Sequence, residues 1–394
     1  MSQTYSKSRL IPAMILGILT YGLIAALLGT ILPELGEKFG LSAGQSGMIA
    51  TVQALGLMIA SVAVGPIVDN KGKKTGIVAG LGGITLGLLG LIYAESYEVA
   101  LLSMLILGLG GGMLVTGSNA LISEISEEKR SSALNLLNMF FGLGTMITPL
   151  LAANVGALSS TYSLSIALTA FAALTLMVNV ATPMPPPTGE RGFVAAEAPA
   201  LLRQPALYLL SLMLFLYVAC EVGVFNWLVK YLVDEQGVEI SYAQNVLSLG
   251  FALGLLLGRV IVSRILLAVA EIKVTLWASV AMLVATFAML KVGDPVLVGV
   301  SVFVAGLAMA PMFPTTLGIC GNVFTKMTGT AMGIVITSGW IGLTLSSYII
   351  GFVAERATLS TALLLLPAMS LLLIVVNLLL RPHLSKPASA SAAG

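Results

Sequence analysis

The sequence predicts an all-α integral membrane protein with twelve transmembrane helices in two six-helix, pseudo-symmetric halves. Three observations predict this class: charged residues are scarce, the apolar runs are long, and one polar stretch divides the chain. Only 9% of the 394 residues are charged and 58% are hydrophobic, whereas roughly 25% are charged in an average soluble domain. So few charges cannot cover the surface of a water-soluble fold of this size. The composition therefore excludes a soluble enzyme and a disordered protein.

The charges and the reactive side chains exclude further classes of function. The net charge of +2 is too small for electrostatic capture of nucleic acid, so no nucleic-acid partner is expected. Cys220 and Cys320 lie in apolar runs without metal-ligand spacing, and the single histidine, His383, lies in the polar C-terminal segment. We expect no metal, no cofactor and no enzyme activity, because no nucleophile–base or metal constellation is visible at membrane depth.

The gaps between charges give the number of spans. A helix needs about 20 apolar residues to cross about 30 Å of hydrocarbon. The runs are continuously apolar, which favours helices over a barrel, whose strands alternate in polarity. One long run holds two spans, separated by a Gly/Ser-rich break near residues 154–162. The twelve predicted spans lie within residues 10–33, 39–68, 75–94, 99–123, 131–189 (two spans), 204–233, 241–263, 274–290, 295–325, 327–354 and 357–380.

A proline-rich polar stretch separates six spans from six. Its composition is typical of a semi-rigid surface linker. Gly108-Leu109 and Gly306-Leu307 open comparable stretches in the two parts, which indicates an internal repeat. Two six-helix halves that meet at a midplane site are the alternating-access design. The predicted divisions are an N-terminal bundle over 1–182, a cytoplasmic linker over 183–203, a C-terminal bundle over 204–384 and a disordered tail over 385–394.

Lysine and arginine predict the orientation. If both termini are cytoplasmic, most basic residues fall on the inside, and the outside keeps only Lys38, Lys230, Lys291 and Arg356. This asymmetry follows the positive-inside rule. It predicts a multi-pass protein of the inner (cytoplasmic) membrane, with both termini in the cytoplasm. The first apolar run does not read as a cleaved signal peptide, because it is too long and no small-residue cleavage site follows it. We expect a monomer.

The loop after the second span carries the most specific motif. It reads Gly65-Pro66-Ile67-Val68-Asp69-Asn70-Lys71-Gly72-Lys73-Lys74-Thr75. This resembles the signature G-x-x-x-D-x-x-G-[RK]-[RK] of the major facilitator superfamily, which lies between the same two spans. The resemblance implies the major facilitator fold, and a conformational latch in which Asp69 lies near a neighbouring helix N-terminus and basic groups. A plain basic loop is the alternative. The latch residues implied are Gly65, Asp69, Gly72, Lys73 and Lys74.

Further stretches resemble one branch of that superfamily, the fucose/glucose:proton symporters, typified by the L-fucose:proton symporter. The resemblance implies a secondary transporter that moves a sugar or a similar small polar solute by alternating access. A proton is the implied coupling ion, with sodium as the alternative. The matching stretches are residues 134–144 in the fifth span, 217–221 and 227–231 in the seventh, Gly258-Arg259 in the eighth, Phe313-Pro314-Thr315 in the tenth, and Asn119 in the fourth.

Glu221 is the leading candidate for proton coupling. The two membrane-embedded acids of the L-fucose symporter are absent, since Gly29 and Val115 occupy their positions. Glu221 lies well inside the seventh span, where a carboxylate costs roughly 2.5–3.5 kcal/mol. It should therefore face the bundle interior, where it could carry a proton or hydrogen-bond substrate hydroxyls. A structural hydrogen bond to a neighbouring helix is the alternative.

Amide and aromatic side chains within the spans are the candidate ligands of the solute. Buried amides offer donors and acceptors to a polyhydroxylated molecule, and aromatic rings stack on the CH faces of sugars. Phe313, Pro314 and Thr315 are also expected to break the tenth span. Interhelical packing is the alternative for each residue, and for Trp227 so is the interfacial aromatic belt. The candidates are Gln53, Asn119, Asn135, Asn138, Tyr217, Glu221, Asn226, Trp227, Phe313, Thr315 and Trp340.

Other functions stay open at this stage. An exporter of drugs or organic solutes would have a more apolar cavity, and a facilitative uniporter would need no coupling ion. A transporter-like receptor is a rival from a different class, but such proteins tend to carry long cytoplasmic domains. The polarity of the central cavity is therefore the feature that separates a sugar transporter from an exporter.

Overall fold

The computed structural model describes residues 6–158, 160–186 and 198–384. The predicted tail 385–394 and most of the predicted linker, residues 187–197, lie outside the described residues. The described parts contain twelve helices that are long and apolar enough to cross a membrane. The prediction of an all-α protein with twelve spans is confirmed.

The first six spans form the N-terminal half. The loops opposite the N-terminus end in serine caps, which satisfy free N–H groups at helix starts. The Ser42 hydroxyl accepts from Gln45 N (3.2 Å), and the Gln45 side chain accepts from Ser42 N (2.9 Å), forming a capping box. The spans are span 1, Lys7–Ala25; span 2, Gln45–Lys71; span 3, Lys73–Ile92; span 4, Tyr97–Ile125; span 5, Glu127–Ala152; and span 6, Tyr162–Ala181.

The last six spans form the C-terminal half. A short helix, Ala198–Leu202, precedes them in the described part of the linker. Asp294 caps the tenth span, because its side chain accepts from Leu297 N at 2.9 Å. The spans are span 7, Pro205–Asp234; span 8, Ile240–Ile265; span 9, Glu271–Lys291; span 10, Pro295–Val323; span 11, Thr328–Arg356; and span 12, Leu359–Leu384.

Several spans are interrupted. Span 1 is followed after Ala26 by a second helix, Leu27–Phe39, and span 8 contains a π-helical segment, Val246–Ala252. Span 10 breaks between Met309 and Met312. The predicted break at 313–315 is therefore wrong by a few residues. Pro311 causes the interruption, whereas Pro314 falls in the first turn of the next helix, where proline is tolerated.

Close glycine contacts recur at matching places in the two halves. A side chain added at Gly108 of span 4 would collide with the Gln53 carbonyl oxygen of span 2. In the same way, a side chain at Gly306 of span 10 would collide with the Phe251 carbonyl oxygen of span 8. Small residues allow helix backbones to approach this closely in a membrane. The repeat noticed around these two glycines thus marks equivalent helix pairs, as a pseudo-symmetric fold requires.

The halves meet along a seam formed mainly by spans 2, 4 and 5 on one side and spans 8, 10 and 11 on the other. We call the end of the bundle with Lys7 and Leu384 the termini face, and the other end the opposite face. The termini face also holds the 2–3, 4–5, 8–9 and 10–11 loops. Most basic residues of the described chain lie there, and Lys38, Lys230, Lys291 and Arg356 lie towards the opposite face.

Candidate substrate cavity and the closed seam

A cavity of about 750 Å³ lies between the two halves. This volume is within the range of about 300–1,000 Å³ that is usual for small-molecule sites. Its walls come mainly from the middle of spans 1, 2, 5, 7, 8 and 11 and from their parts nearer the opposite face, with a few residues from spans 4 and 10. Lining residues nearer the opposite face, such as Ala50 and Asn226, are exposed, whereas Trp340 on the inner wall is 9% exposed. The cavity therefore opens towards the opposite face.

The cavity wall is mostly apolar, with a polar set near the middle of the spans. Tyr21 and Phe141 stack in the wall with their ring centroids 5.3 Å apart. Apolar side chains from both halves surround the polar groups, including Leu57, Val222 and Leu343. The polar and hydrogen-bonding side chains in the lining are Tyr21, Gln53, Asn138, Thr145, Tyr217, Glu221, Asn226, Ser248, Arg259 and Trp340.

The structure brings most of the sequence candidates to this cavity. The candidates in the lining come from spans 2, 5, 7, 10 and 11, so both halves contribute. Tyr217 and Glu221 are one turn apart and share a face of span 7. Asn226 lies nearer the mouth, where its amide donates to Ser347 Oγ at 2.8 Å. The candidates that line the cavity are Gln53, Asn138, Tyr217, Glu221, Asn226, Phe313 and Trp340.

Two of the candidate asparagines lie behind the wall. Asn119 is fully buried, and its Oδ1 accepts from the Asn138 amide at 2.8 Å. It therefore positions Asn138 rather than facing the cavity. Asn135 donates to Thr315 Oγ1 at 3.1 Å, and both residues are fully buried in the seam between spans 5 and 10. The reading of Asn119, Asn135 and Thr315 as interhelical contacts fits these positions better than direct ligand contact.

Trp227 is also outside the cavity lining. Its ring packs on the Gly351 backbone of span 11, where a side chain added at Gly351 would lie 3.4 Å from the ring. Asn226 and Trp227 are adjacent residues, so a helix directs them about 100° apart. Of the two, Asn226 lines the cavity and Trp227 does not.

Arg259 is the lining residue that the sequence analysis left without a role. It lies inside span 8 and is only 4% exposed. Its Nη1 donates to the Asn138 carbonyl oxygen at 2.6 Å, across the seam, while its Nε has no partner among the described residues. The sequence alone could have pointed to Arg259, because an ionisable residue within a span is a functional candidate by default.

Glu221 and Arg259 both line the cavity, on spans 7 and 8 of the C-terminal half. The guanidinium is within electrostatic range of the carboxyl group, although no ion pair within 4.0 Å joins them in the described chain. The Tyr217 hydroxyl interacts electrostatically with both, and no hydrogen bond of normal geometry joins it to either. Spans 7 and 8 thus present an acid, a cation and a hydroxyl group whose hydrogen-bonding capacity is largely unused.

Asp69 joins the halves at the termini face. Its carboxylate accepts from Gly329 N at 2.9 Å, from Thr330 N at 2.8 Å and from Thr330 Oγ1 at 2.7 Å. These N–H groups are the free donors at the start of span 11, where a negative charge is favourable. Gly65 makes the approach possible, since an added side chain would lie 2.6 Å from Thr330 Cα. Asp69 therefore lies where the latch hypothesis expects it.

The remaining motif residues support Asp69 from its own half. Lys73 Nζ lies 3.5 Å from Asp69 and 2.5 Å from Glu124, and all three side chains are buried or nearly so. Gly72 has a φ of +88°, a left-handed conformation that favours glycine and starts span 3 directly after span 2. Lys74 instead donates to the carbonyl oxygens of Val180 and Thr182, at the end of span 6. Lys74 thus braces the N-terminal half and does not cross the seam.

A second polar cluster closes the termini face beside span 5. Arg130 Nη1 donates to Asn322 Oδ1 at 2.5 Å, and the Asn322 amide donates to the Glu271 carboxylate at 2.9 and 3.0 Å. Ser131 Oγ also donates to Glu271. The cluster links the start of span 5 to the C-terminal half. Together with Asp69 it closes the seam opposite the mouth of the cavity.

Comparison with known proteins gives the family. A family model described as Major Facilitator Superfamily matches residues 14–298, most of the chain. The chain belongs to the Major Facilitator Superfamily. It is therefore a membrane transporter rather than an enzyme, and the match confirms the resemblance drawn from the 2–3 loop.

Individual relatives are more distant. The uncharacterised MFS-type transporter YfkL of Bacillus subtilis (strain 168) is 25% identical over 321 residues, covering 79% of this chain and 80% of the relative. A glucose/galactose transporter of Brucella abortus (strain 9-941) is 26% identical over 237 residues, covering 56% and 58%. The crystal structure of FucP in its outward conformation has a TM-score of 0.83 at 20% identity, covering 95% and 99%. That likeness shows the shared fold.

Proposed function

We propose that this superfamily member is a secondary active transporter that moves a small polar solute by alternating access, coupled to protons. The proposal rests mainly on the position of Glu221. It is the acidic side chain in the lining of the described cavity, in the middle of span 7. A transporter that couples to protons needs an acid that both solvent and solute can reach in turn.

Two arrangements at the seam support alternating access. The cavity opens to one face, while Asp69 and the Arg130 cluster close the other. Such a state must exchange with its counterpart, in which the termini face opens, for a solute to cross. Basic residues concentrated on the termini face favour the cytoplasm for that side, which supports our proposal that the conformation described is outward-open in an inner membrane. We further propose that the transporter acts as a monomer.

A sugar is the first solute to test. Gln53, Asn138, Glu221 and Asn226 offer donors and acceptors to hydroxyl groups, and Tyr21, Phe141 and Trp340 offer rings to a sugar's CH faces. The Brucella abortus relative is a glucose/galactose transporter, and the structural neighbour FucP is the fucose:proton symporter of Escherichia coli. These names support a sugar and a proton; sodium is the alternative ion.

One observation favours a second candidate. The cavity wall is mostly apolar, and Glu221 and Arg259 stand as charges within it. A wall of this kind suits a solute with an apolar body and one polar end, whether it is imported or exported. A sugar presents hydroxyl groups to the cavity wall, whereas the second kind of solute presents an apolar body. A panel of solutes of both kinds therefore separates the two candidates.

The test uses the purified protein in liposomes with an imposed pH gradient. Radiolabelled hexoses, pentoses and small organic acids are offered one at a time, and accumulation is compared with and without the gradient. Glu221→Gln should abolish gradient-driven accumulation while counterflow exchange persists. Glu239→Gln, the same change at an exposed acid outside the cavity, is the matched control. Full gradient-driven accumulation in the Glu221→Gln variant would refute proton coupling at this residue.

A further inference from the structure

Arg259 has a donor that the fold itself does not use. Its bond from Nη1 to the Asn138 carbonyl oxygen braces spans 8 and 5. That hydrogen bond leaves Nε without a partner among the described residues, although Arg259 is only 4% exposed. A buried donor without a partner costs about 1–3 kcal/mol. A purely structural arginine would have its guanidinium satisfied.

The surroundings of Arg259 define what it could bind. It is the cationic side chain in the lining of the described cavity. Glu221 stands within electrostatic range but does not form an ion pair within 4.0 Å, and the Tyr217 hydroxyl makes no hydrogen bond of normal geometry. The planar guanidinium matches the two oxygens of a carboxylate. One cationic side chain in a mostly apolar wall fits a singly charged anion better than a phosphate, which would require more cationic groups.

We propose that Arg259 binds the carboxylate of the transported solute, which is a small organic monocarboxylate. The Tyr217 hydroxyl donates a further hydrogen bond to the same carboxylate, and the apolar wall holds the rest of the molecule. This proposal rests on the proposed transport function and adds the chemical class of the solute. It explains why polar groups lie in a mostly apolar wall, because a monocarboxylate has a charged end for the polar groups and an apolar body for the rest of the wall.

The proposal also explains how the proton and the solute are coupled. The charged and titratable groups within electrostatic range of Glu221 are Arg259 on span 8 and, on its own span, Tyr217 and Cys220. A carboxylate bound to Arg259 offsets the positive charge of the guanidinium beside Glu221, so binding of the acid favours uptake of a proton by Glu221 from the solvent at the mouth. One carboxylate and one proton enter together, and the charge of the site is unchanged.

Binding measurements on matched pairs of compounds test the proposal. D-glucuronate and D-glucose form one pair, and 4-hydroxybenzoate and 4-hydroxybenzyl alcohol form the other. We expect at least one acid to raise the melting temperature of the purified protein and its neutral partner not to do so. Arg259→Gln should weaken binding of that acid at least about tenfold, the loss expected for a charged hydrogen bond. Arg356→Gln, at an exposed arginine at the end of span 11, is the matched control.

Two results would overturn the proposal: neutral partners that bind as tightly as their acids, or an Arg259→Gln variant that keeps its affinity for the acid. Arg259→Lys serves if the glutamine variant does not fold. Lysine keeps the positive charge but lacks the planar guanidinium, so the Arg259→Lys variant should bind the acid more weakly than the wild type, by less than about tenfold.

Proton uptake separates this proposal from the transport function. Calorimetry of acid binding in buffers of different ionisation enthalpy should show one proton taken up by the wild type and none by Glu221→Gln, with binding retained. Gradient-driven accumulation of neutral sugars only would uphold proton-coupled transport and refute the carboxylate proposal. Binding of acids through Arg259 without any gradient-driven accumulation would uphold the binding site and refute the proton coupling.

Discussion

Asp69 and Glu221 are both acids set between apolar helices, and they are held in opposite ways. Asp69 accepts three hydrogen bonds across the seam and has Lys73 3.5 Å away. Glu221 faces a cavity, with Arg259 in electrostatic range and no ion pair within 4.0 Å in the described chain. The first acid is fully satisfied by the fold. The second is left available for a proton or a ligand.

The same contrast separates the two ends of the seam. At the termini face, glycines bring backbones into contact and buried charged side chains hydrogen-bond to neutral groups of the other half. Towards the opposite face, the polar side chains lie apart in an apolar wall. Buried polar groups stabilise a structure only when they are satisfied. The polar groups at the closed end therefore hold the two halves in one arrangement. The polar groups at the open end find their hydrogen-bond partners only when a solute binds.

Asp69→Ala should disturb this contrast most. The change leaves the N–H groups of Gly329 and Thr330 without their acceptor, and each buried donor left unsatisfied costs about 1–3 kcal/mol. Lys73 keeps its ion pair with Glu124. The termini face should open in a large share of molecules. Spin labels at the exposed positions Lys71 and Lys326, in a variant without Cys220 and Cys320, would report a longer inter-half distance.

Lys74→Ala is the matched control for that experiment. Lys74 donates to Val180 and Thr182 within its own half, so its loss should leave the inter-half distance unchanged. An Asp69→Ala variant with the distance distribution of the wild type would show that these bonds do not hold the seam closed.

Gly333→Ala should have a medium effect. A side chain at Gly333 of span 11 would collide with the Ser61 carbonyl oxygen of span 2, and such overpacking costs about 1–3 kcal/mol. The same spin-label pair should show partial opening. Gly82→Ala is the control, because a side chain there meets nothing within 4 Å and alanine favours a helix. Equal behaviour of the two variants would mean that close backbone contact is not what shapes the closed end.

Trp340→Phe should have the smallest effect. The indole lines the cavity and donates to Ser61 Oγ at 3.2 Å, so the change removes one neutral hydrogen bond worth about 0.5–1.5 kcal/mol. A double-mutant cycle with Ser61→Ala, read by melting temperature, isolates that bond. Additive losses from the two single variants would show that the contact does not couple spans 2 and 11.

Much of the fold could be predicted because the membrane constrains it. A hydrocarbon layer forces each apolar run into a helix that satisfies its own backbone. The loop motif also identified Asp69 before its partners were known. The break in span 10 was misplaced because two prolines lie three residues apart, and only helix geometry shows that Pro311 interrupts the span while Pro314 begins the next turn.

The candidate site was predicted less completely. Amides and aromatic rings in a span look alike in sequence, whether they face a cavity or a neighbouring helix. Asn138 lines the cavity, but Asn135, three residues away, bonds Thr315 inside the seam. Asn226 and Trp227 are adjacent, and the helix turns only the first towards the cavity. Arg259 had no predicted role, although an ionisable residue within a span is a functional candidate by default.

The sequence by itself determined that this is a twelve-span membrane protein, the family it belongs to and the residue types able to bind or to couple, since hydropathy and charge spacing are properties of the chain. Only the tertiary structure decided which of those side chains share a cavity and which close the seam. The reason is rotation: a shift of about 100° per residue around a helix moves a side chain from cavity to packed interface without changing its hydropathy. Glu221 and Arg259 are far apart in sequence, and only the packing of spans 7 and 8 brings them to one cavity.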